Sequence, residues 1–403
     1  MLQRVRGHAL GHHQADPVRG DQHADHHHQR DQQPAAPPPA TADAGHVGHT
    51  LDPRIRHTAG MALPDPVLSE RIVRHGFAAR PARTVAGAAA LVCGIQSQDA
   101  RAARLGVRAR SLGLTASDVD AAIARREVVR TWLMRNTIHL VPAADVRWLV
   151  ALLGPMIRRR FETVRWPQLG LTAPVLAAAT AAAPAVLAGR ALTRHAFAAA
   201  LRDRGVPVAA GQAATHVLVH LSAAGLVCRG ADRGAQATFV LIDDWLAGSP
   251  EGPRDDEALA ELARRYFAAF SPATPNDFTA WSGLPSSRAV TLVRDELRPV
   301  DVDGVAGYRL GAVEPQRCLR LLPAFDNYLV GYRRRPFVPA DRYREVYAGG
   351  MIRPAVLLDG AVVGRWSLTP RRRVAPELFT ALPGRARRLL DAEVADVEAF
   401  AAG

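Results

Sequence analysis

The chain has 403 residues, 48% hydrophobic and 22% charged, which fits a globular protein of two or three modules with a sizeable core. Its formal net charge is +13, every basic residue is arginine and there is no lysine, so any mechanism that needs a lysine Schiff base is excluded. No apolar run reaches the ~18 residues that span a bilayer, and the three cysteines are too scattered for a zinc site or a disulfide framework.

Residues 1–60 stand apart from the rest. They hold ten of the 15 histidines, the run Pro37-Pro38-Pro39, and six arginines against six aspartates, so the positive charge belongs to the remainder. His26-His27-His28 lacks the periodic framework of a metal site, and the segment reads as a disordered extension without an apolar signal core. Amphipathic patterning begins just after Met61, which reads as the native start. No metal or cofactor, a monomer and a reducing cytoplasm beside the nucleoid are the expectations.

From Val67 one order of elements recurs three times. In the first unit (61–155), helical spacing over Leu68, Ile72 and Val73 precedes an Ala-rich helix from Thr84 to Cys93. A second helix follows from about Asp99 to Ser111, and a third is capped by Thr115 or Ser117. Val128–Val141, rich in β-branched and aromatic residues, reads as extended. In the second unit (156–250), Thr193–Arg204 and Gly211–Ala224 are predicted helices closed by Gly205 and Gly225. Strands Leu226–Arg229 and Ala237–Ile242 flank the turn between them. The third unit (251–312) holds predicted helices Glu257–Phe270, Asp277–Ser282 and Arg288–Glu296, then a hairpin over Val300–Leu310 turning at Asp303-Gly304. In the last section (313–403), Leu319–Tyr332 and Ala355–Trp366 read as strands and Ala386–Phe400 as a closing helix. Helices followed by a short strand pair describe a winged helix. The predicted fold class is therefore α+β: tandem winged-helix units with a β-rich C-terminal part.

A winged helix lays one helix in the major groove and touches backbone with its wing. The candidate recognition helices start with Gln212, Thr215 and His216 in the second unit and with Ser286, Ser287 and Arg288 in the third. Such side chains near a helix N-terminus suit base edges and phosphates. Among the arginine clusters, Arg158–Arg160, Arg333-Arg334-Arg335 and Arg371–Arg373, at least one is expected to meet the DNA backbone.

The runs Leu91-Val-Cys-Gly-Ile-Gln-Ser-Gln-Asp, Arg130-Thr-Trp-Leu-Met-Arg-Asn-Thr-Ile-His-Leu-Val-Pro, Leu322-Pro-Ala-Phe-Asp-Asn-Tyr-Leu-Val-Gly-Tyr-Arg and Gly350-Met-Ile-Arg-Pro-Ala-Val-Leu-Leu-Asp-Gly resemble, in order and spacing, the AlkZ-type winged-helix DNA glycosylases. The resemblance runs from Val67 to the C-terminus. It implies tandem winged helices, a β-rich C-terminal part and repair of alkylated or crosslinked double-stranded DNA. The family's catalytic signature is Gln-x-Gln or Gln-x-Asp, which Gln96 and Gln98 match in the first form. Ser97 stands where the family usually has an apolar residue, which bears on local packing.

A neutral amide is no general base, but it donates and accepts hydrogen bonds, and two can hold one water against an anomeric carbon. A purine alkylated at N7 or N3 already carries positive charge and leaves without strong acid assistance. Asp99 is placed either to assist or to cap the following helix, and His139 either to face the lesion or to be a satisfied structural histidine. The other open class is a DNA-binding regulator or architectural factor without chemistry, which predicts selective binding and no base release. A protein that sequesters damaged DNA is a third reading.

Overall fold

The computed structural model describes residues 65–402, so the expectations for residues 1–60 and for Met61 lie outside the described residues. The chain opens with helix α1 (Pro66–Arg74), capped by Asp65, whose Oδ1 accepts the Val67 N–H at 2.8 Å. The first unit is α2 (Val85–Leu91), β1 (Ile95–Gln96), α3 (Ala100–Arg108), α4 (Ala116–Ala124), β2 (Val128–Trp132) and β3 (Ile138–Pro142). Of the two candidate caps, Thr115 rather than Ser117 starts α4, in a reciprocal capping box with Asp118. A long helix, α5 (Val146–Glu162), leads into the second unit. That unit is α6 (Ala173–Leu187), β4 (Leu192–Thr193), α7 (Arg194–Arg202), α8 (Gln212–Ala223), β5 (Val227–Arg229) and β6 (Thr238–Leu241). The third is α9 (Asp255–Phe270), α10 (Pro275–Ser282), α11 (Ser286–Leu292), β7 (Leu297–Val302) and β8 (Val305–Leu310).

Each unit thus runs helix, short extended stretch, helix, helix, strand, strand. In each, the short stretch pairs antiparallel with the last strand: β1 with β3, β4 with β6, and Ala273 with Tyr308. The first two units are fused. Strand β2 meets β5 where Arg130 faces Arg229, giving one six-stranded sheet in the order β1-β3-β2-β5-β6-β4. A boundary between residues 155 and 156 would cut α5, which packs so closely on α8 that a Cβ at Gly154 would lie 2.0 Å from the Ala223 carbonyl oxygen. Periodicity cannot show such edge pairing, because it comes from contacts about 100 residues apart in sequence.

The C-terminal part is a four-stranded antiparallel sheet built from β9 (Leu319–Leu322), β10 (Ala355–Leu358), β11 (Ala361–Leu368) and β12 (Val374–Leu378) in the order β12-β11-β10-β9. The predicted turn at Asp359-Gly360 joins β10 to β11. The closing helix α13 (Gly384–Ala402) buries Leu390, Val397 and Phe400 against Leu319, Leu321, Val356 and Trp366. One expectation is overturned here: Leu319–Tyr332 is not one strand. After β9 the chain turns at Phe325, in the left-handed region at φ 58°, and enters a single-turn helix α12 (Asn327–Val330). Asp326 ends the extended stretch because its Oδ1 takes the Tyr328 N–H at 2.9 Å. No described helix is long and apolar enough to cross a membrane.

Candidate active site

Strand β1 is entered through two left-handed residues, Cys93 (φ 54°) and Gly94 (φ 98°). A Cβ at Gly94 would lie 2.7 Å from Val141 Cγ1, so only glycine lets β1 lie this close to β3. The register places Gln96 directly across from His139. Ser97 donates its N–H to Ile138 O at 2.6 Å, and the side chain of Gln98 folds back so that its Oε1 accepts the Ile138 N–H at 3.2 Å. Asp99 then accepts the Ala102 N–H at 2.9 Å as N-cap of α3, with its carboxylate at the surface. Gln96 is 6% exposed and Gln98 half-buried. Ser97 occupies an interior position with no hydrogen-bond partner for its Oγ among the described residues, as fits a place suited to an apolar side chain.

The turn between β2 and β3 supplies a residue that the sequence quotes without singling out. Arg135 (φ 53°) and Asn136 (φ 62°) are both left-handed, a costly conformation for two consecutive side-chain-bearing residues. The turn directs the Arg135 guanidinium between two acceptors: Nη1 donates to Trp281 O at 2.9 Å and Nη2 to Gln96 Oε1 at 3.2 Å. Residue type alone gave no signal for Arg135; its place four residues before His139 in the quoted run was the only clue. Gly283, the left-handed cap of α10, lets Met156 of α5 approach this corner. Burial, then Arg335 and Arg160, lowers the Arg135 pKa to about 10, so it stays cationic at neutral pH with two further guanidiniums near it.

His139 is 1% exposed, and its Nδ1 lies 3.0 Å from Thr137 O. A carbonyl only accepts, so Nδ1 carries the proton and Nε2 is unprotonated. Burial, then the Arg135 charge, pushes its pKa down to about 3. His139 is therefore neutral across the physiological range and has no imidazolium proton to give.

The predicted DNA-contacting residues differ in burial and in partners. His216 is a correction: it lies at 1% exposure inside the second unit, with its ring edge-on to Phe161 at 4.9 Å. Helix α8 is buried on nearly all sides, with His216, Val217, Leu218 and Val219 all interior, so this position has no outward face to offer. Gln212 and Thr215 sit half-buried at the start of α8, each with a guanidinium upon it. Arg165 donates to Gln212 Oε1, and Arg194 to Thr215 Oγ1 at 3.2 Å. Arg288 is exposed and forms a bidentate ion pair with Asp256. Arg333 and Arg334 are exposed, with Arg334 donating to Asp303 O at 3.4 Å. Arg335 is half-buried over the Tyr347 ring at 4.4 Å and donates to the Tyr343 hydroxyl at 3.1 Å.

Residues 89–400 match the family model described as "AlkZ-like: DNA glycosylase AlkZ-like". The chain is similar to a Streptomyces sahachiroi protein named interstrand DNA cross-link repair glycosylase, at 29% identity over 310 residues, covering 70% of this chain and 82% of that one. Its structure resembles that of the Streptomyces sahachiroi DNA glycosylase AlkZ, with a TM-score of 0.72 and 26% identity, covering 83% of this chain and 96% of that one. With the match spanning more than three quarters of its length, the chain belongs to the AlkZ-like family of DNA glycosylases.

Proposed function

We propose that this enzyme is a monofunctional glycosylase that removes N7- or N3-alkylated purines from double-stranded DNA, with Gln96 and Gln98 holding the attacking water. Its three repeated units are read as tandem winged helices that carry the duplex. The observation that carries the reading is how the two glutamines are anchored. Each side-chain oxygen takes one donor, Arg135 for Gln96 and the Ile138 N–H for Gln98. An amide oxygen has two acceptor directions, so each keeps one for water. A water bridging the two oxygens is positioned before the reaction begins.

The chemistry suits a leaving group that is already cationic. The water oxygen bonds C1′, N9 of an N7-alkylpurine keeps the bonding pair and departs as a neutral base, and the surplus proton passes to solvent. Amide dipoles aimed at the sugar favour the oxocarbenium character that develops on the way. An ordinary purine would leave as an anion and needs a proton that neutral His139 does not offer. Selectivity then follows from the lability of the lesion. With no lysine in the chain, a β-elimination step through a lysine Schiff base is not available, and the expected product is an intact abasic strand.

Arg135, Arg160 and Arg335 gather positive charge beside Gln96, and Arg333 and Arg334 extend it along the surface, where duplex phosphates would lie. Gln212 and Thr215 contact DNA only together with the arginines that cover them. Asp99 acts as a cap and His139 as a neutral wall opposite Gln96. The relative named for interstrand cross-link repair extends the proposal to crosslinks attached through an alkylated purine, where hydrolysis of one glycosidic bond unhooks one strand. Purified protein incubated with duplex holding a single 7-methylguanine should release the free base and leave an unbroken abasic strand. Tight binding without release would return the protein to the class of DNA-binding factors without chemistry.

A further inference from the structure

The run Pro323-Ala-Phe-Asp-Asn-Tyr lies more than 220 residues beyond the glutamine pair, yet it touches the strand that carries it. Strand β1 is the edge of the six-stranded sheet, paired on one side only, with β3. On the free side of an edge strand, the carbonyl of residue i and the N–H of residue i+2 point the same way, and left alone they are unsatisfied. Here those groups are Gly94 C=O and Gln96 N–H. Both are taken by one side chain: Asn327 Nδ2 donates to Gly94 O at 2.8 Å and to Val92 O at 3.3 Å, and Asn327 Oδ1 accepts the Gln96 N–H at 3.4 Å. The amide of Asn327, itself 1% exposed, stands in for a neighbouring strand.

Asn327 is held as firmly as it holds. The preceding Asp326 is fully buried and bound in bidentate fashion by Arg110, Nη1 to Oδ2 at 2.8 Å and Nη2 to Oδ1 at 2.9 Å. Arg110 Nη1 also donates to Gly106 O at 3.0 Å, in the last turn of α3. Helix α3 is the one that Asp99 caps, immediately after Gln98. The result is a closed circuit that runs from Gln96 and Gln98 through Asp99 and α3 to Arg110, then through Asp326 to Asn327 and back to Gln96. It fixes the glutamine segment at both ends. Only the C-terminal part can close it.

We infer that Asn327 is a positioning residue for base release: it fixes the backbone of β1 at Gln96 and thereby sets where the Gln96 amide meets the water. This rests on the water-holding role of the glutamine pair. Asn327 touches neither water nor sugar, so its loss should lower the chemical rate and spare DNA affinity. A role in stability alone would lower the melting temperature and leave the rate of the folded protein unchanged.

The test measures single-turnover release of 7-methylguanine from duplex DNA, duplex affinity, and the folded fraction by circular dichroism at the assay temperature. The proteins compared are wild type, Asn327→Ala, Asn327→Asp, Gln96→Ala and the Gln96→Ala/Asn327→Ala double variant. Asn327→Asp keeps the shape and the acceptor but replaces the donor that Gly94 O needs. In folded protein, each Asn327 variant should release base about tenfold to a hundredfold more slowly, the scale set by misplacing reacting groups by about 1 Å. Its duplex affinity should stay within about twofold of wild type. Because Asn327 acts through Gln96, adding Asn327→Ala to Gln96→Ala should cost less than about twofold more. A folded Asn327 variant with the wild-type rate, or a full additional loss in the double variant, overturns the inference. So does failure of both Asn327 variants to fold, since the role is then architectural. Wild-type protein that releases no base defeats the proposed reaction itself, a result separable from all of these.

Discussion

Acidification distinguishes neutral amides from a histidine base of ordinary pKa, and the structure sets the size of the effect. The ionisable group closest to the glutamine pair on the facing strand is His139, whose pKa burial and Arg135 push down to about 3. At pH 5.5 such a group is about 0.3% protonated, whereas an imidazole at the ordinary value near 6.5 is about 90% protonated. Glutamines do not titrate. Base release should therefore stay within about twofold between pH 8 and pH 5.5, while a histidine base of ordinary pKa would lose about tenfold. Stability follows the opposite course, and its sign is fixed by linkage. The folded pKa of His139 lies below the unfolded one, so the unfolded chain takes up the proton first. The contribution is whole above pH 6.5 and is lost as pH falls from there toward 3, reaching about 2 kcal/mol by pH 5. His75, buried beside Arg110 and Arg71, acts in the same direction. The assay is single-turnover release of 7-methylguanine at constant ionic strength, corrected for uncatalysed loss, with a thermal melt at each pH to confirm folded protein. A rate in folded protein that falls one decade per pH unit below 6.5 would refute the reasoning.

Three other outcomes follow from particular contacts. Arg110→Met leaves Asp326 buried without its partner and should cost about 3–5 kcal/mol, seen as a melting temperature lower by roughly 6–10 °C; a drop under about 2 °C would contradict a fully buried pair. Ser97→Ala removes a buried hydroxyl that has no partner among the described residues, so chemical denaturation should show stability unchanged or raised by up to about 1 kcal/mol, and a loss beyond that would mean the hydroxyl is bonded. Arg335→Gln and Arg160→Gln should each reduce the slope of log affinity against log salt by about 1 if each neutralises one phosphate; a slope identical to wild type would remove that arginine from the duplex contact.

Much of the fold was legible because its signals are local. The Thr115-Ala-Ser117 stretch announced the start of α4, with Thr115 as the cap the structure uses, and Asp303-Gly304 and Asp359-Gly360 marked two hairpin turns that the structure contains. The apolar spacing of Leu389, Leu390, Val394 and Val397 marked α13, of which Leu390 and Val397 are buried and Leu389 is exposed. What was not legible depends on distant partners. Strand pairing through Arg130 and Arg229 fuses two units that look separate in sequence. His216 resembles a groove-facing residue until helix packing turns it toward Phe161. The apolar run at Leu319–Tyr332 looked like strand because residues buried on all sides lose the alternation that distinguishes strand from helix. The site follows the same division. The spacing of Gln96 and Gln98 could be recognised, but Arg135 and Asn327 act through a left-handed turn and a contact across 231 residues, which no local pattern encodes.

The account depends most on Gln96 and Gln98, and replacing each by alanine tests it most directly. Measured as single-turnover release of 7-methylguanine from duplex DNA by folded protein, Gln96→Ala and Gln98→Ala should each lower the rate by about a hundredfold, the scale of losing one oriented polar group in a transition state. Duplex affinity should remain within about threefold, because neither amide carries the charge that binds phosphate. Wild-type rates in both variants would contradict the account and leave the attacking water to be held by other groups.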